Sequence, residues 1–106
     1  MTHVIVEPGV CGLTADIKVE MVDAQNCKIE IETKCKMIAD LVEGMGETVN
    51  AFDLLGMSRN PSPMEEGKKG TRIHAACPTI SGIAKAVEAA SQMALPCDAS
   101  IKFVED

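Results

Sequence analysis

The chain has 106 residues, 46% of them hydrophobic, with ten Lys and Arg against sixteen Asp and Glu for a formal net charge of −6. That length predicts one domain, residues 1–106, with a single modest core, and that hydrophobic share predicts a folded chain. The acidic balance argues against a nucleic-acid partner or an anionic membrane surface, since phosphates need a basic footprint.

No apolar run approaches the roughly 20 residues of a membrane span, and the N-terminus lacks a basic-then-apolar signal pattern. The cytoplasm is therefore the expected compartment. Trp and Tyr are absent and Phe occurs only twice, at Phe52 and Phe103. The core must be aliphatic, and the seven Met read as gap-fillers within it. Five Cys, an odd number, fit poorly with a closed disulfide framework in a reducing compartment.

Taken in order, residues 2–7 form a first strand around Val4, Ile5 and Val6. Pro8-Gly9-Val10-Cys11-Gly12 then marks a tight turn in which glycine supplies a positive φ. A second strand over residues 14–23 puts Ala15, Ile17, Val19 and Met21 on one face and Asp16, Lys18 and Glu20 on the other. After a polar turn at Asp23-Ala24-Gln25-Asn26, residues 27–33 alternate the same way, with Cys27, Ile29 and Ile31 inward. Such clean alternation predicts an antiparallel meander with one wet face.

From Cys35 the period changes. Met37, Ile38, Leu41, Val42 and Met45 recur at helical spacing, and Gly46 supplies a stop. A shorter helix is expected over residues 49–55. Residues 58–71 read mainly as exposed loop, with one helical turn at the capping pattern Ser62-Pro63-Met64-Glu65. Pro78 suits the first position of a helix, which makes Cys77 its N-cap; the apolar line is Ile80, Ile83, Ala84, Val87 and Ala90. Leu95-Pro96 ends that helix, and residues 99–104 read as a closing strand with Ile101 and Phe103 inward. The expected class is α+β in two layers: a three-strand antiparallel meander plus a C-terminal strand, with about three helices on one face.

Simple up-down connectivity gives this order a chemical consequence. Cys11, Cys35 and Cys77 all fall at one end of the domain, where two helix N-termini also point. Helix N-termini stabilise negative charge and so favour thiolates. Cys27 and Cys97 fall at the other end, inward by strand parity, and are assigned to the core. Three readings follow. Cys11, Cys35 and Cys77 bind zinc or an iron–sulfur cluster, with His74 available as a fourth metal ligand. Alternatively, Cys77 is a reactive or sulfur-carrying thiol with the others as resolving partners. In the third, all are structural. Lys68, Lys69 and Arg72, in the loop before Cys77, are candidates for steering a small anion. A protein redox or sulfur partner and a homodimer also remain open. No nucleophile elbow, phosphate loop or dinucleotide fingerprint is present.

The set Pro8-Gly9-Val10-Cys11-Gly12, Cys35 opening a helix, and His74-Ala75-Ala76-Cys77-Pro78 resembles a small family of uncharacterised proteins sharing these three cysteines. That resemblance implies that Cys11, Cys35 and Cys77 belong together and implies no reaction. More locally, Cys77-Pro78 opening a helix, with Lys85 further along and then a strand, is similar to the sulfur-carrier domains related to tRNA thiolation. Their Cys-Pro-x-Pro motif carries a persulfide on the cysteine. This resemblance implies Cys77 as the sulfur acceptor; the chain departs from it in having Ile80 at the fourth position and in placing the motif after three strands and two helices.

Overall fold

A computed structural model describes residues 1–105. Its first three strands, β1 (Thr2–Val6), β2 (Ala15–Met21) and β3 (Asn26–Thr33), form the antiparallel meander that their alternation predicts. Ala15, Ile17 and Val19 are fully buried on the inner face of the central strand, while Lys18 and Glu20 are exposed on the outer one. On that outer face the His3 ring meets the Asp16 carboxylate diagonally across β1 and β2. Between β2 and β3 the Asp23 carboxylate accepts the N–H groups of Gln25 and Asn26, both at 2.8 Å, and the Asn26 side-chain amide at 3.1 Å. The bond from Gln25, then those from Asn26, hold the Asp23 carboxyl below its ordinary value.

The helices cover the inner face. Helix α1 (Lys36–Met45) buries Ile38, Leu41, Val42 and Met45, spaced three and four apart as one helical stripe requires. It ends at Gly46, whose φ of 95° suits glycine. The segment expected as one helix over residues 49–55 divides in two. Val49 and Asn50 form β4, which pairs with Cys27 and Asn26, and only then does α2 (Ala51–Leu54) begin. The side chain of Asn50 caps α2 by accepting the Asp53 N–H at 3.0 Å. The sheet order among the described residues is therefore β1-β2-β3-β4.

Helix α3 (Pro63–Lys68) grows from the Ser62 capping pattern, with the Met64 N–H donating to the Ser62 hydroxyl at 3.3 Å. It buries Met64 in the core and lies directly on α1, because a Cβ at Gly67 would run into the Leu41 carbonyl. Helix α4 (Pro78–Ala90) buries Thr79, Gly82, Ile83, Ala86 and Val87. The expected line through Ile80, Ala84 and Ala90 lies at the margin of this contact, half-buried. Gln92, at a φ of 62°, closes α4: its N–H donates to the Ala89 carbonyl and that of Met93 to the Glu88 carbonyl, at 3.1 and 2.9 Å.

The expected closing strand is not there. Residues 95–105 form neither helix nor strand, and Ile101 and Phe103, assigned inward, are 86% and 103% exposed. Alternation gives a segment a strand's faces but not a neighbour, and among the described residues no strand pairs with it. The fourth strand is instead β4, between α1 and α2, and four helices are present among the described residues where about three were expected.

Candidate functional site

Both long helices begin at a cysteine. Cys35 is the N-cap of α1 and Cys77 that of α4, each with extended backbone and each without a side-chain bond to the helix. Pro78 occupies the first turn of α4, as the sequence predicts. Asn, Asp, Ser and Thr are the residues that satisfy free helix N–H groups at this position. A thiol sulfur accepts hydrogen bonds weakly, so neither half-buried sulfur satisfies the helix start it caps; at α4 Pro78 has no N–H and the Ile80 N–H donates to the Cys77 carbonyl at 3.3 Å, which leaves the N–H of Thr79. The Cys35 N–H donates to the Thr33 hydroxyl at 3.1 Å, which holds the chain as it turns from β3 into α1. Thr33 is a positioning residue that sequence reasoning passed over; the Thr-x-Cys spacing before a change of period is its signal.

The strand register locates Cys35 relative to Cys11. Val6 pairs with Ala15 and Ala15 with Thr33, so these three residues form the last row at one end of the sheet. Cys11 lies in the connection from Val6 to Ala15, and Cys35 comes two residues after Thr33. Helix α4 crosses the same end, where a Cβ at Gly82 would meet the Val6 side chain. Ile83, Ala86 and Val87, which follow Gly82 in the helix, are buried in the core.

Sharing an end is not the same as forming a cluster. Among the described residues, no group of three or more His, Cys, Asp and Glu side chains is arranged to hold a metal ion. Cys11 is exposed on a turn closed by the Gly12 N–H to the Gly9 carbonyl at 2.9 Å, and the neighbouring Val10 is 109% exposed, so no core contact through Val10 anchors the turn. His74 is exposed, and its carbonyl accepts the Cys77 N–H at 3.1 Å. Lys68 and Lys69 pair with Glu65 and Glu66 on their own helix, at 3.9 and 2.9 Å, while Arg72 stays exposed.

The remaining two cysteines diverge. Cys27 is fully buried on the inner face of β3, as expected, and burial pushes its thiol pKa up. Cys97 is exposed. Its expected place in the core depends on the parity of a strand that does not form.

The fold defines a small α+β protein whose two long helices each begin at a cysteine. The chain belongs to a family of unknown function (DUF6951), whose model matches residues 2–103. No curated protein and no solved structure matches it. Among the described residues, no helix is long and apolar enough to cross a membrane.

Proposed function

We propose that this is a thiolate metal-binding protein, holding zinc or an iron–sulfur cluster through Cys11, Cys35 and Cys77, with His74 as a further metal ligand. The observation that supports it best is the pair of cysteines at the starts of α1 and α4. Both positions favour an oxygen-bearing side chain for helix stability, and both carry sulfur instead. Free N–H groups and the positive helix end stabilise anionic sulfur at each, and thiolates are the preferred ligands of zinc and of iron–sulfur clusters. Cys11 completes the set when its loosely held turn closes toward the two helix starts. A bound zinc ion would supply Lewis acidity or a structural tie, and a cluster would supply electron transfer.

Metal and acid-labile sulfide analysis, with an absorption spectrum, on protein purified without oxygen tests this reading. Near-stoichiometric zinc or iron that is lost in Cys11→Ser, Cys35→Ser and Cys77→Ser alike is the expected result. A metal-free, folded protein would overturn it.

A second reading takes Cys77 alone as a reactive, sulfur-carrying thiol in contact with a protein redox or sulfur partner. Pro78 in the first turn of α4 favours it, by fixing the backbone that presents the sulfur. It predicts a persulfide on Cys77 and indifference to Cys11→Ser. Arg72, exposed in the segment that leads to Cys77, would attract a small anion in this reading.

A further inference from the structure

We propose that residues 99–104 of one chain add as a strand to the open β3 edge of a second copy, and that two chains exchange these segments reciprocally. Four observations point to this pairing. The first is the segment itself. Ala99-Ser100-Ile101-Lys102-Phe103-Val104 has the alternation of a strand, yet Ile101, Phe103 and Val104 stand in solvent. Neighbouring apolar side chains exposed in this way mark a contact surface.

The second is the edge. Strand β4 is only two residues long and pairs with Asn26 and Cys27, so residues 28–33 have backbone pairing to β2 on one side and no strand on the other. That opening is six residues long, as is the segment. Open edges of this kind accept an added strand.

The third is uneven burial across the sheet. Ala15, Ile17 and Val19 on β2 are fully buried, whereas Ile29 and Ile31, their neighbours on β3, are only half-buried. A strand beyond β3 carrying Ile101 and Phe103 inward would cover them. The fourth is charge. With Ile101 and Phe103 inward, Lys102 falls on the outer face in the rows of Glu30 and Glu32, where opposite charges on neighbouring strands attract. The other sheet edge, β1, offers His3 and Ile5 on its outer face instead, so the charge match selects β3.

Each copy carries one free segment and one open edge, so the exchange closes as a two-fold symmetric dimer and leaves neither unfilled. In this chain the segment lies off its own edge, exposed, which is the arrangement exchange requires.

Sedimentation equilibrium on this 106-residue chain and three variants tests the proposal. The wild type should be a dimer, and Phe103→Asp should be a monomer that still unfolds cooperatively in denaturant. Lys102→Glu alone, and Glu30→Lys with Glu32→Lys in one chain, should each dimerise about tenfold or more weakly. Mixing those two variants should restore the dimer, since each then meets an edge of opposite charge. A monomeric wild type would overturn the proposal, as would a dimer indifferent to Phe103→Asp. A charge-reversal effect that mixing does not restore would mean that the segment docks on its own chain or on a different protein, and would overturn it equally.

Discussion

The four helices start in two different ways. At the short ones, α2 and α3, the Asn50 side-chain oxygen and the Ser62 hydroxyl accept backbone N–H groups and the start is satisfied locally. At the long ones, α1 and α4, cysteine occupies the same position and makes no such bond. A four- or six-residue helix needs its cap, because nucleation is unfavourable and few hydrogen bonds follow it. The longer helices draw their stability from buried faces, Leu41 and Ile38 in α1, Ile83 and Val87 in α4, and can forgo it. Capping stability is thus given up where the fold tolerates the loss, at two sulfurs.

Serine substitutions sharpen this contrast, because serine caps helices but is a poor core residue. Cys27→Ser should have the largest effect, a loss of about 1–3 kcal/mol in denaturant unfolding, since it puts a hydroxyl on the fully buried inner face of β3. The same site gives a pH signature. Burial raises the Cys27 pKa in the folded state, so its contribution is fully present below the thiol's unfolded value and is lost as pH rises through the folded one. Cys27→Ala should reduce that alkaline loss.

At the short helices, Asn50→Ala and Ser62→Ala should each lower stability by about 1 kcal/mol, read as a shift in the denaturation midpoint. At the long helices the sign should reverse. Cys35→Ser and Cys77→Ser, in metal-free reduced protein, should each gain about 0.5–1 kcal/mol as the new hydroxyl accepts a free helix N–H. A loss at both positions would mean that the sulfurs are packing groups, and the contrast between the two kinds of helix start would disappear.

Elements with a period were legible in the sequence. Alternation marks β2 and β3, the three-four spacing of Ile38, Leu41, Val42 and Met45 marks α1, and Pro78 places Cys77 at a helix start. The split at Asn50 was not, because a two-residue strand has no period and is made by the pairing of Val49 with Cys27. The C-terminal segment fails in the opposite way. Ile101 and Phe103 alternate as a strand should, but pairing is a property of two segments, and among the described residues no strand pairs with this one. The misplacement of Cys97 follows from that. For the site, sequence and connectivity put three cysteines at one end. What they could not reveal is that Cys35 and Cys77 ride on packed helices while Cys11 stays on an exposed turn beside Val10.

Cobalt(II) titration of the reduced protein under anaerobic conditions, followed by thiolate-to-cobalt absorption, tests most directly whether the helix-start sulfurs serve as ligands. The account predicts a band that saturates near one equivalent and disappears in both Cys35→Ser and Cys77→Ser while both variants remain folded. A wild-type protein with no such band, or a band that survives both substitutions, would contradict it.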